Sequence, residues 1–277
     1  MKGRNGKNMK HRNVRITDRR WARALSVGML ATLPAMAVAN EPGRFRLSTG
    51  LDYSSGKFGG TMTTETWYVP VILKYEHGRT TAKLTVPYIR TSGPGDVVGV
   101  GPDRIPLAEE STVRRTAEGM GDTVASLGYN LLDGRAGGFV LDVVGKLKLP
   151  TADKDKGLGT GETDVSIQVD MAQILGSASV FGTVRWKKYG DPDGRNFRDP
   201  LYLSIGSGYR LRPGTTVGLA YDWRQKVSDY GSEMSEMSAF VSQKLDAQWK
   251  VQGYLIHGFS DASPDWGGGV LIHRMFD

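Results

Sequence analysis

The chain has 277 residues, 39% of them hydrophobic and 23% charged, with 37 glycines, no cysteine and a formal charge of +7. That length suits one large all-β domain or two small ones, and the composition is too polar for a bundle of membrane helices. The missing cysteines exclude a disulfide framework and a Cys-based metal site. The positive charge is local: residues 1–39 hold nine basic residues and one acid, so the remainder is near neutral and gives no electrostatic case for nucleic acid.

Residues 1–39 read as a cleavable export signal, with a basic n-region, an apolar stretch from Ala24 to Met36, and Ala37-Val38-Ala39 as the small-x-small site before Asn40. As a permanent anchor the stretch is short and carries Gly28 and Pro34. Arg19-Arg20 loosely resembles a twin-arginine signal but is read as n-region charge. The mature domain is then 40–277.

From there the chain alternates. In the stretch 138–148, Leu141, Val143 and Leu147 oppose Asp142, Lys146 and Lys148; Val140 and Val144 are apolar exceptions on the polar face. In 163–174, Val165, Ile167, Val169 and Met171 interleave with Asp164, Ser166, Gln168 and Asp170. In 216–226, Val217, Leu219, Tyr221 and Trp223 oppose Asp222, Arg224 and Lys226. Period two over such lengths means strands with one apolar and one polar face. The same reading gives about twelve strands, near 44–53, 65–75, 80–90, 121–131, 138–148, 163–174, 178–188, 201–211, 216–226, 236–245, 249–259 and 266–276. Pro70 and Pro87 count against two of them, because proline cannot donate to a ladder.

Tight turns alternate with longer loops rich in Gly, Asp, Ser and Pro at 54–64, 91–120, 149–162, 189–200, 227–235 and 260–265. This predicts a transmembrane antiparallel β-barrel of the Gram-negative outer membrane, with periplasmic turns, extracellular loops and both termini on the periplasmic side. A soluble β-sandwich also alternates. Strands of ten or eleven residues, aromatics at the ends of apolar faces (Phe45 and Tyr53, Trp67 and Tyr75) and charges of both signs on the polar faces favour the barrel. The C-terminal run Gly269–Asp277 is similar to an outer-membrane assembly signal, with Arg274 on the apolar face and Asp277 after the last aromatic as departures.

Lys146-Leu147-Lys148-Leu149-Pro150-Thr151, then Gly157-Leu158-Gly159-Thr160-Gly161 and Asp164, carry a family resemblance, joined by Gly119-Met120-Gly121-Asp122 and Leu84-Thr85-Val86-Pro87-Tyr88. In these segments, and over most of the mature chain, the sequence resembles outer-membrane transporters of the phenol meta-cleavage pathway type. The resemblance implies a barrel that passes small, often aromatic, compounds, and it makes Pro87 acceptable in a strand.

By alternation the polar face includes Arg44, Arg46, Asp52, Lys74, Lys83, Asp142, Lys146, Lys148, Asp164, Asp170, Arg185, Lys187, Arg210, Asp222, Arg224, Lys226, Lys244 and Lys250. Basic residues outnumber acids in this set, which fits either a filter for anions or charges pairing across a narrow lumen. About twelve strands leave little bore once Lys and Arg fill it. The longest loop, 91–120, has the length to fold inward as a constriction.

Asp153-Lys154-Asp155-Lys156-Gly157 opens like an EF-hand loop but lacks the third acid, and its lysines repel a cation. Gly157–Gly161 has no helix or Lys-Ser/Thr to make a nucleotide loop. His77, His257 and His273 offer no evident Ser partner for a hydrolase. The expectation is therefore a monomeric channel, without cofactor, in contact with outer-membrane lipid and small solutes. A lipid-modifying enzyme and a closed structural barrel are the alternatives.

Overall fold

The computed structural model describes residues 43–95, 97–106, 113–135, 137–192 and 194–276, so residues 1–39, read above as an export signal, and Asp277 lie outside it. Twelve strands close into an antiparallel ring among the described residues. In ring order they are β1 (Arg44–Gly56), β2 (Thr64–His77), β3 (Thr80–Gly93), β7 (Thr123–Asp133), β8 (Phe139–Leu149), β9 (Asp164–Leu175), β10 (Ala178–Lys188), β11 (Leu201–Arg212), β12 (Thr215–Arg224), β13 (Met234–Lys244), β14 (Trp249–Gly258) and β15 (Trp266–Phe276). β15 returns to β1, pairing Phe45 with Phe276 and Ser55 with Trp266. The two-residue strands β4 (Val97–Val98) and β5 (Ile105–Pro106) form a small hairpin, and β6 (Arg115–Met120) pairs with the upper half of β3, outside the closed ring.

The prolines that count against β2 and β3 shape this arrangement instead. Pro70 and Pro87 face each other across the two strands. Pairing of β1 with β2 lapses beside Pro70, between Thr49↔Val71 and Asp52↔Tyr68. Pairing of β3 passes from β7 to β6 on either side of Val86-Pro87. A strand edge without its N–H cannot hold a neighbour in register, so the strand read from 121 begins only at Thr123, and Arg115–Met120, read as part of the loop 91–120, pairs separately as β6. The gap is bridged by the Gly121 N–H, which donates to the Pro87 carbonyl at 2.9 Å.

Burial is inverted relative to a soluble protein. Leu127, at the middle of β7, is 62% exposed, while Lys74 on β2 is 1% exposed. Leu51, Val71, Ile167, Ile205, Leu219 and Leu255 also face outward, and Ser48, Thr85, Gln168, Thr183 and Ser238 face inward. An apolar outer face on strands of 10 to 14 residues is what a bilayer requires of a barrel. Short turns close one end, as at Gly78, Gly134, Gly176 and Gly214, all at positive φ. Bulges at Asn130/Leu132 and Arg210/Arg212 lie near that same end.

Candidate functional site

The long loop after β3 enters the barrel. Its core is the β4–β5 hairpin with a turn of 3₁₀ helix at Gly101–Asp103. Gly99, at φ +80°, lets the chain reverse where a Cβ would lie 2.8 Å from the Asp103 carbonyl oxygen. The inward fold expected from length thus occurs, and its anchors are two adjacent residues aimed at opposite walls.

Asp103 reaches β10, where Arg185 Nη2 lies 2.8 Å and Lys187 Nζ 3.5 Å from its carboxylate. Arg104 reaches β1, donating from Nη2 to Ser54 Oγ at 2.9 Å, with its guanidinium 4.8 Å from the Phe58 ring centroid. β1 and β10 stand six places apart in a ring of twelve, so residues 103 and 104 form a strut across the diameter. Arg224 on β12 secures the strut backbone, donating to the carbonyls of Pro102 (2.6 Å) and Arg104 (2.9 Å). Ser228 Oγ donates to the Pro106 carbonyl at 2.8 Å.

Asp103 also ends an alternating chain of charges: Asp122–Lys148 at 2.9 Å, Lys148–Asp164 at 3.1 Å, Asp164–Lys187 at 3.0 Å, then Lys187 and Arg185 to Asp103. Desolvation pushes the Asp103 carboxyl up, but Arg185, Lys187, Lys146 and Arg224 outweigh it and hold the group below the ordinary aspartate range. Burial pulls the Arg104 guanidinium down, with Glu236 and Asp52 opposing.

Strand register sorts the remaining charges into two stripes. Neighbours across seven consecutive strands give Arg46, Lys74, Lys83, Ser126, Lys146, Ser166 and Lys187 as one continuous row. A second row runs Asn130, Asp142, Asp170, Thr183, Ser204, Asp222 and Glu236. The first holds only cations and hydroxyls, the second only carboxylates and neutral polar groups. Because barrel strands tilt, a row across them climbs the wall. The basic stripe rises from the periplasmic start of β1 almost to the extracellular end of β10, and the acidic stripe from β7 to the extracellular start of β13. On β8 they are represented by Lys146 and Asp142, about 13 Å apart along the strand at ~3.3 Å per residue. Neutral donors hold the acids: Asn130 to Asp142 (2.8 Å), Thr183 to Asp170 (2.5 Å) and Tyr202 to Asp222 (2.5 Å).

Of the polar-face residues read from sequence, Arg46, Lys74, Lys83, Lys146 and Lys187 fall on the basic stripe. Asp142, Asp170 and Asp222 fall on the acidic one. Arg185 and Arg224 lie between the stripes and meet the strut; Lys148 and Asp164 belong to the ion chain. Asp52 accepts a hydrogen bond from the Tyr254 hydroxyl. Arg44, Arg210, Lys244 and Lys250 share the face at the periplasmic end, with Lys244 exposed. Lys226 is a correction: β12 stops at Arg224, and Gln225 is held to Leu201 by its backbone N–H (3.0 Å) and its Oε1 (2.9 Å), so Lys226 lies in the connection. Glu76, Asp103, Asp122 and Glu236 were not in the set, and they lower its basic excess. Glu76, for example, pairs with Lys74 at 2.5 Å.

The lumen is not polar throughout. Val140, Ala172, Phe181, Ala220 and Phe240 form an inward apolar cluster, with Phe181 and Phe240 centroids 6.5 Å apart. The Phe181 ring covers Gly206, where a Cβ would lie 2.3 Å from it. Val140 was visible in the sequence as an exception, and its parity with Phe181 and Phe240 is the signal. Between the strut and the β2–β3–β8 wall remains a cavity of about 260 Å³, bordered by Tyr68, Pro87, Ile89, Leu158, Lys83 and Lys146.

One His–Ser contact exists that sequence spacing could not reveal. His273 Nδ1 lies 2.8 Å from Ser48 Oγ across the β1–β15 seam. It faces the lumen near the periplasmic end, with Lys250, Arg46 and Lys74 around it. His257 instead meets the Asp265 backbone carbonyl at 2.8 Å and packs against Trp266 with the rings tilted at 37°. Among the described residues no group of three or more His, Asp or Glu could hold a metal ion.

No protein-family profile matches the chain, and no curated protein matches it in sequence. Solved structures do resemble it in fold. An outer-membrane channel from Pseudomonas putida F1 is 16% identical with a TM-score of 0.62, over 86% of this chain and 97% of that one. The KdgM porin (11%, 0.51) covers 84% of this chain and 99% of that one, and the NanC porin (6%, 0.52) covers 82% and 98%.

Proposed function

With the lipid-facing belt and the fold of bacterial outer-membrane barrels as the premise, we propose that the protein is a diffusion channel for small solutes. Anions pass more readily than cations. The observation that carries this reading is the strut of Asp103 and Arg104, which narrows the bore yet leaves a cavity bordered by the basic stripe. Fold likeness to channels and porins supports it, as does the resemblance to transporters of the phenol meta-cleavage type, which adds small aromatic compounds to the solutes to test. In this reading residues 1–39 are the export leader, and the closed ring, each of whose twelve strands has a neighbour on both sides, acts as a monomer without cofactor.

The test is single-channel conductance of refolded residues 40–277 in planar bilayers, with reversal potentials in a salt gradient. Discrete openings with anion preference are expected. Cation preference would overturn the selectivity. Silence in the wild type and in a protein lacking residues 97–106 would leave the closed structural barrel, which the packing of Phe181 and Phe240 favours. The lipid-modifying alternative has the His273–Ser48 contact, but that pair faces the lumen rather than lipid.

A further inference from the structure

The cations around the central cavity are unequal. Lys148, Lys187 and Arg185 are each within 3.1 Å of a carboxylate in the ion chain that holds the strut. Lys146, on the same wall, lines the cavity and has no carboxylate within ion-pair distance among the described residues. Register sets it level with Ser126 on β7 and Lys83 on β3. At ~4.8 Å between strands, the two lysine backbones are about 10 Å apart with a hydroxyl between them. Long ammonium side chains converge on one oxyanion from that spacing.

Beside the charges of the ion chain and the strut, part of the cavity wall has a different chemistry. Pro70, Pro87, Ile89 and Leu158 line its upper wall, and Val98 and Val100 of the strut roof it. Polar anchoring at one end and apolar walls at the other define a site for an amphipathic molecule. A volume of about 260 Å³ admits a small one. Asp52, level with Ile89 two strands away on the same wall, and Glu236, across the lumen on β13, disfavour a second negative charge.

We propose that Lys146, with Lys83 and Ser126 beside it, forms a binding site for a small monocarboxylate carrying a compact apolar body. The carboxylate takes the ammonium groups in the middle of the basic stripe, and the body lies against Ile89, Leu158 and the strut valines. This deepens the channel reading: the site is a station on the solute path, in the middle of the basic stripe.

Calorimetric titration of the refolded barrel in detergent with sodium hexanoate tests the site, with hexylammonium chloride as the same chain under the opposite charge. Saturable hexanoate binding is expected, weakened at least tenfold in Lys146→Gln and in Lys83→Gln. Lys146→Arg retains it, and Lys156→Gln, in the exposed loop, leaves it unchanged. Ile89→Ser weakens hexanoate binding while sparing that of formate, which has no apolar body. Equal binding of hexanoate and hexylammonium, or full binding by a folded Lys146→Gln barrel, overturns the proposal. Solute flux through proteoliposomes separates the two readings. Flux with no hexanoate binding overturns the site and leaves the channel; hexanoate binding with no flux of any solute overturns the channel and leaves the site.

Discussion

Asp103 and Arg104 are covalent neighbours whose side chains hold opposite sides of the barrel, the first on Arg185 of β10 and the second on Ser54 of β1. Their charges match their walls, because the carboxylate meets the upper end of the basic stripe and the guanidinium faces Glu236 and Asp52. Reversing the pair, Asp103→Arg with Arg104→Asp, sets like charges against each wall. That double variant is expected to release the strut and raise single-channel conductance several-fold. Unchanged conductance would show that the strut does not limit flow.

The pH response of the strut follows from Asp103. Its carboxyl is held below the ordinary value of 3.8 by Arg185, Lys187, Lys146 and Arg224, despite burial. A depressed acid contributes its full anchoring above the undocked value and loses it as pH falls through the lower docked value. Conductance recorded from pH 8 down to ~4 should therefore stay flat, and rise only in stronger acid. Asp103→Asn should conduct at the higher level throughout. A rise centred near pH 6 in the wild type would assign the gate to another group.

The stripes make a selectivity prediction with a sign. Replacing Lys74, Lys83 and Lys146 together by Gln should move the reversal potential toward cations. Replacing Asp142, Asp170 and Asp222 by Asn should move it toward anions. Salt weakens both shifts, since lumen charges act through water over a Debye length of ~10 Å at 0.1 M. Shifts of the same sign in both variants would mean that the mutations change bore shape rather than field.

How far this was legible differs by level. Alternation within a strand exposes which residues share a face, so most of the polar set and nearly all strand limits could be read from the chain. The stripes could not. Lys83, Ser126 and Lys146 come level only through the register of β3, β7 and β8, which turn geometry, the bulge at Asn130/Leu132 and the break at Pro87 together decide. The strut was foreshadowed by loop length alone, because the contacts that hold it join residues 50 to 122 positions apart. Pro70 and Pro87 misled in the other direction: the penalty they carry is real, but it falls on the pairing with β1 and β7 rather than on β2 and β3.

The outward face offers a test of the membrane assignment by itself. Ile205 lies near the middle of β11 and is 62% exposed on the outward apolar face. Ile205→Arg should destabilise the barrel by about 2–4 kcal/mol, measured by reversible denaturant unfolding from lipid vesicles. Ser204→Arg, beside it in sequence on the lumen face of β11, should cost much less, because it lies level with Asp222 on the acidic stripe and meets water there. Equal losses at the two positions would remove the distinction between lipid and lumen.

Phe181 is the strongest candidate for a purely structural role inside the lumen. Its ring covers Gly206, where a side chain would collide, and it packs beside Phe240 within the inward apolar cluster. Glycine in a strand forfeits side-chain packing, and an aromatic laid over it restores the contact. Phe181→Ala should therefore cost about 3–5 kcal/mol in unfolding, the usual range for emptying a buried aromatic site. Gly206→Ala should destabilise for the opposite reason, because its Cβ displaces the ring. If the cluster instead limits flow, Phe181→Ala will raise conductance with little loss of stability. The two measurements on that one variant decide whether the aromatic pair holds the wall or narrows the passage.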